Sequence, residues 1–103
     1  MARWSIVIRP SAEKEIDKLG KANRKRVLRY LYDRVAQLDR PRQLGGPLKG
    51  TMSEFWRYRI GDLRILCRIE DDRLIVLVIA VGSNRPLWAT FFGVSFRVSL
   101  RRY

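Results

Sequence analysis

Hydrophobic and polar positions at the start of the chain predict a short strand followed by an amphipathic helix. Residues 4–8, with the sequence WSIVI, have the β-rich composition of a strand. Pro10 interrupts this strand, and Ser11 is a favourable N-cap for a helix with acidic residues near its positive end. The helix would stop at Gly20. Its apolar residues recur at helical spacing, at Ala12, Ile16 and Leu19.

A second amphipathic helix is predicted over residues 23–38. Its apolar positions recur every three or four residues, and most of its basic side chains lie off that stripe. The stripe consists of Val27, Leu31, Val35 and Leu38, flanked by Leu28 and Tyr32. Two such helices joined by a few residues are expected to pack as a hairpin against one face of a sheet.

Three strands are predicted after a loop over residues 41–50 that is rich in proline and glycine. Residues 55–60 and 63–70 alternate in polarity, and residues 73–81 are almost continuously apolar, as in a central strand. The turn signals Gly61-Asp62 and Asp71-Asp72 predict a tight antiparallel meander. The predicted order is β-α-α-β-β-β, an α+β fold with a helical hairpin on one face of a small antiparallel sheet, forming one domain over residues 1–103.

The segment over residues 86–103 does not fit this plan. Pro86 argues against simple continuation of the last strand. Further along, apolar residues alternate as in a strand, at Val94, Phe96, Val98 and Leu100. We treat this segment as atypical and assign it no conformation.

Charge is the first indication of a partner. The chain carries 22 Lys and Arg residues against 10 acidic residues, a formal net charge of +12. Such an excess repels itself in the free protein and favours polyanionic partners. Seventeen of these bases are arginine, whose planar guanidinium matches phosphate. A GC-rich genome would also enrich arginine, but the arginines of this chain cluster by position.

Composition excludes several classes of protein. A 103-residue chain with 47% hydrophobic residues suits a packed domain, not a disordered tail. Its longest apolar run, residues 74–82, is too short to cross a bilayer, and its start lacks signal-peptide anatomy. A single cysteine, Cys67, and no histidine exclude an internal disulfide and ordinary zinc sites. We therefore expect a cytoplasmic protein with no metal, no cofactor and no membrane partner.

Candidate chemistry lies on the two strands joined by Gly61-Asp62. A two-residue turn there would place Arg59 directly opposite Arg64. The next pairs on the same face would be Arg57 with Leu66 and Phe55 with Arg68. One face of the sheet would then present four arginines together: Arg57, Arg59, Arg64 and Arg68.

That pairing is costly unless an anion binds. Like charges directly opposite each other destabilise a sheet by roughly 0.2–1 kcal/mol, whereas a phosphate between two guanidiniums turns the repulsion into a clamp. The alternative is a solvated arginine face, with its repulsion relieved by Glu54, Asp62 and Glu70 nearby.

These residues resemble a known family, the RelE-like toxins of the RelE/ParE superfamily. The resemblance covers residues 4 to about 85 and rests on four motifs. They are Leu48-Lys49-Gly50, the run FWRYRIGDLRIL at 55–66, the acidic turn IEDD at 69–72 and the strand VLVIAVG at 76–82. Together these motifs are specific, whereas each one alone would be weak.

The resemblance implies the toxin component of a type II toxin–antitoxin system that cleaves messenger RNA on the ribosome without a metal. In such toxins a 2′-hydroxyl attacks the adjacent phosphate while basic side chains stabilise the developing charge. Arg64 matches the phosphate clamp, and Arg57 and Arg59 match the residues that promote proton transfer or stabilise charge. Because arginine stays protonated, electrostatic stabilisation is the role we expect. Lys49 and Arg68 would contact RNA.

The chain departs from the family pattern after the last strand. Where the family has V-G-H-R, this chain has Val81-Gly82-Ser83-Asn84, so that Arg85 would take the arginine's role from one residue away. Trp88 stands where a tyrosine often stacks on a base; it can stack but has no phenol. Cleavage would be weakened or lost if Arg85 and Trp88 do not replace the family's arginine and tyrosine in function.

The implied partners are a RelB-like antitoxin, the ribosome and messenger RNA, with operator DNA bound only through the antitoxin complex. Two other hypotheses remain open. One is a ParE-like inhibitor of DNA gyrase without nuclease activity, and the other is a degenerate toxin that only binds its antitoxin. The basic helix over residues 21–34 would either contact ribosomal RNA phosphates or form an ordinary solvated face.

Overall fold

Five strands form one sheet in the computed structural model, which describes residues 3–48 and 54–82. They are β1 (Ser5–Ile8), β2 (Gly46–Pro47), β3 (Trp56–Ile60), β4 (Leu63–Glu70) and β5 (Ile75–Gly82). Their order across the sheet is β1-β5-β4-β3-β2. Two helices, α1 (Pro10–Lys18) and α2 (Lys21–Arg29), pack on one face. The predicted α+β class is confirmed.

The sheet is mixed, whereas the sequence analysis predicted an antiparallel one. Strands β2 to β5 pair antiparallel with their neighbours, and β1 pairs parallel with β5. The antiparallel pairs β3–β4 and β4–β5 follow from short turns that the sequence shows. Strand β1 has no such turn, because the helical layer separates it from the other strands and leaves its direction to tertiary packing.

Alternation along the strands places one side of the sheet in the core. On β4 the residues that face the helices are Leu63, Ile65, Cys67 and Ile69, and all four are buried. Tyr58 on β3 and Val76 on β5 are buried in the same cluster. Interior strand β5 is apolar throughout, as its sequence predicted.

Helix α1 begins two residues earlier than the sequence suggested, because a cap at Ser11 would make Ala12 the first helical residue. Pro10 is the first helical residue and Arg9 is the N-cap, so the prediction that Ser11 caps the helix is wrong. Proline suits the first helical position because its missing N–H would have no partner there and its φ angle is already helical. Ala12 and Ile16 turn toward the core and are buried.

The second helical segment spans most of the predicted range but changes its winding. Helix α2 continues as a π-helix over Tyr30–Arg34 and a 3-10 turn over Val35–Gln37. Apolar residues four apart drift by about 40° per step around an α-helix. The wider π turn reduces that drift, and Val27, Leu31 and Val35 are all fully buried. None of these helical segments is long and apolar enough to cross a membrane.

The loop after the helices is held closely against β3. Trp56 donates its indole N–H to the carbonyl oxygen of Leu44 at 2.8 Å, and the Tyr58 hydroxyl donates to the carbonyl oxygen of Pro41 at 2.7 Å. Gly45 has φ +76°, and a β-carbon there would collide with the Arg57 carbonyl oxygen. Glycine therefore permits the close approach that creates β2, a strand that the sequence analysis had assigned to a loop.

We expect Tyr58→Phe to lower the free energy of unfolding by about 1–3 kcal/mol, because the buried Pro41 carbonyl would lose its donor. Tyr32→Phe is the matched control, since Tyr32 is 46% exposed. Urea unfolding of both variants measures the difference. Equal stabilities would show that the buried hydrogen bond does not hold the loop.

Candidate nucleic-acid interface

The β3–β4 turn brings two arginines face to face. Gly61 and Asp62 form the turn, with φ +60° at Gly61, a conformation that favours glycine at the first central position of a hairpin. The register pairs Ile60 with Leu63 and Arg59 with Arg64, as the sequence predicted. Directly opposed residues have Cβ atoms about 4.5–5.5 Å apart. The two arginines therefore share the face of the sheet that points away from the helices.

Within the described ranges, no carboxylate neutralises these arginines. The ion pairs there are Arg3–Asp39, Arg24–Asp17, Arg42–Asp71 and Arg73–Glu70. None involves Arg57, Arg59, Arg64 or Arg68. Glu70 pairs with Arg73 at 2.9 Å and not with an arginine of the open face. The relief by nearby acidic residues that the alternative explanation requires is therefore not seen among residues 3–48 and 54–82.

The open face is divided by an apolar cluster that the sequence analysis did not identify. Leu66 and Ala80 are buried on this face, and three partly buried residues pack against them: Leu48, Phe55 and Ile79. A β-bulge in the β4–β5 pairing contributes to the cluster, because Leu66 pairs with Ala80 while Cys67 pairs with Val78. An unbroken apolar run gives no sequence signal for the position of such a bulge.

This cluster lies between the Arg59–Arg64 pair and Arg68. Arg57 lies beside it, directly opposite Leu66, and only Arg59 and Arg64 lie on the side of the Gly61 turn. Arg68 lies four residues beyond Arg64 on the same strand, about 14 Å away at the usual rise per residue. Phe55 precedes β3 and is not part of the ladder, so its expected pairing with Arg68 is not formed.

The remaining predicted site residues lie outside the described part of the chain. They are Lys49, Arg85 and Trp88, together with Asn84 and the segment over residues 86–103. The strand that leads to them is nevertheless anchored at its end. The Glu15 carboxylate on α1 accepts a hydrogen bond from the Val81 N–H at 2.8 Å, and Gly82 pairs with Arg64. The sequence carries no signal for this role of Glu15, since 66 residues separate it from its partner.

Titratable groups near the interface are structural. The Arg42 guanidinium donates to Asp71 at 2.7 Å, and this hydrogen bond lowers the pKa of that carboxyl below its usual range. Arg42 also lies over the Trp56 ring, 5.8 Å from its centroid. Burial raises the pKa of the Tyr58 phenol, which faces the core and serves as a hydrogen-bond donor to the loop. The open face itself carries Arg57, Arg59, Arg64 and Arg68, and guanidinium groups are suited chemically to hold an anion or a developing negative charge.

Comparison with known proteins identifies the family. A family model for the ParE toxin of type II toxin–antitoxin systems, parDE, matches residues 6–88. A comparison with curated protein sequences finds no match.

Several solved structures share the fold. The RelBE2 toxin–antitoxin complex from Mycobacterium tuberculosis aligns with a TM-score of 0.74 and 21% identity, covering 82% of this chain and 94% of that chain. A mutant of the E. coli toxin RelE in the free state aligns with a TM-score of 0.68 and 24% identity, covering 92% and 97%. The archaeal RelE–RelB complex from Pyrococcus horikoshii aligns with a TM-score of 0.63 and 21% identity, covering 79% and 94%.

We expect Arg59→Gln to raise the free energy of unfolding by about 0.2–1 kcal/mol in low salt, because it removes the charge opposite Arg64. The gain should shrink as salt screens the repulsion. Arg73→Gln removes an equal charge from an ion pair and serves as the control. A salt-independent loss of stability in Arg59→Gln would contradict an electrostatic conflict between these strands.

Proposed function

Because this chain belongs to the ParE toxin family of type II toxin–antitoxin systems, we propose that it is a toxin that cleaves messenger RNA on the ribosome. Membership of the family makes the chain a toxin, and we propose messenger RNA as its target. Similar folds in RelE toxins support it. Charge supports it as well, since a +12 chain favours a polyanionic partner.

The observation that carries this proposal is the opposition of Arg59 and Arg64. Both lie on the face away from the helices, and neither forms an ion pair with a described residue. A phosphodiester bound between the two guanidiniums would relieve their repulsion and be gripped from two strands at once. An exposed arginine pair with a stability cost of its own is best explained by an anionic ligand.

Cleavage would proceed by attack of the 2′-oxygen on the adjacent phosphorus, with departure of the 5′-oxygen. Arg64 would hold the non-bridging oxygens, and Arg57 and Arg59 would stabilise the charge that grows on the phosphate. The proton lost by the 2′-hydroxyl would pass to water, since a guanidinium that stays protonated cannot accept it. The departing 5′-oxygen would take a proton from water and leave as a hydroxyl. Arg85 would add charge from the end of β5, and Trp88 would stack on a base. Lys49 and Arg68 would contact the flanking RNA.

We further propose that the protein acts in the cytoplasm and is neutralised by a cognate RelB-like antitoxin. Two solved relatives are complexes of a toxin with its antitoxin. Here the apolar cluster on the open face, formed around Leu66 and Ala80, would anchor the antitoxin. Acidic residues of the antitoxin would cover the arginines. Binding of operator DNA would occur only through that complex.

The matched family model favours a second candidate function, because it describes ParE toxins. The corresponding activity would be inhibition of DNA gyrase by binding, without nuclease chemistry. Induced expression followed by primer extension on a translated reporter separates the two. Cuts that require ribosomes support the nuclease, whereas intact message with double-strand DNA breaks supports gyrase inhibition. Unaffected growth without antitoxin would indicate a degenerate toxin.

We predict that Arg64→Ala abolishes toxicity while the protein stays folded, because a half-exposed charge that pairs with no described carboxylate contributes at most about 1 kcal/mol to stability. The readouts are growth after induction and thermal unfolding of the purified variant. Arg73→Ala at the far end of β4 removes the same charge and should remain toxic. Full toxicity of Arg64→Ala would reject the proposed site.

A further inference from the structure

A third arginine reaches the turn that joins the paired strands, and it comes from the helical layer. A β-carbon at position 61 would lie 3.0 Å from Nη2 of Arg26, so the guanidinium rests against the bare glycine of the turn. Its Nη1 donates to the Asn23 Oδ1 at 3.0 Å, which holds the side chain in this position. Arg59 and Arg64 lie two and three residues from Gly61, within about 10 Å along their strands.

Helix α2 carries positive charge at its N-terminal end, where positive charge is unfavourable. Its first turn contains no acidic residue, and Lys21, Arg24 and Lys25 all lie near its N-terminal end. The helix dipole is positive at that end, so these cations lower helix stability. Positive charge therefore lowers the stability of the protein at a second place, in addition to the repulsion between Arg59 and Arg64. An anion bound along α2 would offset it.

The outer face of α2 forms a shallow, open groove of about 530 Å³. Its lining is basic, with one apolar residue and one acidic residue: Lys21, Arg24, Lys25, Leu28, Arg29 and Asp33. Arg26 and Arg29 are three residues apart and so are neighbours on the helix surface. Among the described residues, Arg24 pairs with Asp17, and Lys21, Lys25, Arg26 and Arg29 form no ion pair. Asp62 lies in the turn but does not pair with Arg26.

From this geometry we propose that Arg26 joins the arginine pair of the sheet to the α2 groove, forming one basic track for an RNA backbone. The track runs from Arg59 and Arg64, over Gly61 and Arg26, to Arg29 and Lys25. It rests on the proposed function, because it extends the same site past the nucleotide that Arg64 would hold. Arg26 acts in it as a phosphate-binding residue and not as a catalytic residue.

The composition of the track favours RNA over an acidic protein segment. A protein partner gains most of its affinity from apolar and aromatic anchors in desolvated pockets. Apart from Leu28, the groove is lined by charged side chains, and the apolar cluster lies elsewhere, on the open sheet face. A nucleic-acid backbone needs no apolar anchor, since release of counterions from its phosphates drives its binding.

The test measures binding of a single-stranded oligouridine of about 12 nucleotides, a length that suits an extended basic groove. Affinities of the full chain are measured between low and moderate salt, and log Kd is plotted against log salt concentration. Arg26→Ala should lower the slope by about 0.7, the value for one phosphate contact on a single strand. If the variant and the wild type bind equally at 1 M salt, this change in slope makes the variant bind about five-fold more weakly at 0.1 M salt. Arg26→Lys keeps the charge and should retain the slope.

Two further variants separate this inference from the proposed function. Arg73→Ala removes an equal charge at the far end of β4 and should leave the slope unchanged. Arg64→Ala should lower it, and combining it with Arg26→Ala should add the two effects, because the residues would bind different phosphates. If Arg64→Ala lowers the slope and Arg26→Ala does not, the track is overturned while the proposed function stands.

The proposed function is tested separately, by cleavage of a translated message. Preferential binding of polyglutamate over oligouridine would also overturn the track, as would equal slopes for Arg26→Ala and Arg26→Lys.

Discussion

The register of the β3–β4 hairpin is the constraint on which the interface depends. Side chains alternate between the two faces of a strand, so the pairing that buries Tyr58 and Ile65 necessarily exposes Arg59 and Arg64 together. A slip of one residue would put arginines into the core and apolar residues into water. The Gly61 turn and the hydrophobic core therefore enforce the same arrangement, and the arginine pair is as well determined as the core itself.

The same arrangement shows a conflict between stability and binding. Acidic residues are available nearby, but in the described structure they pair with arginines outside the open face, as Glu70 does with Arg73 and Asp71 with Arg42. The arginines of the open face keep their charge exposed. A surface selected for stability alone would mix the two signs of charge, so the separation seen here supports the proposed binding of an anionic partner.

The support for this surface comes from the other side of the sheet and from the loop beside it. Tyr58 and Trp56 extend from β3 to carbonyl groups of the loop, and Gly45 allows that loop to approach Arg57 closely. Glu15 holds the end of β5 through the Val81 N–H. These contacts fix the strands that carry the arginines on a rigid base, which limits the reorganisation that anion binding would require.

Local pattern alone determined the meander, the core face of β4 and the opposition of Arg59 and Arg64, because each depends on neighbours in sequence and a two-residue turn. The π turn at Tyr30–Arg34 and strand β2 differed from that pattern, since packing against the sheet sets them. The helix start at Pro10 also differed, although the preference of proline for the first helical position is local. Only the tertiary structure placed β1 parallel to β5, formed the bulge between β4 and β5 and brought Arg26 to Gly61. Such contacts join residues far apart in the chain, and their energies depend on how whole elements pack, which no periodicity in the sequence encodes.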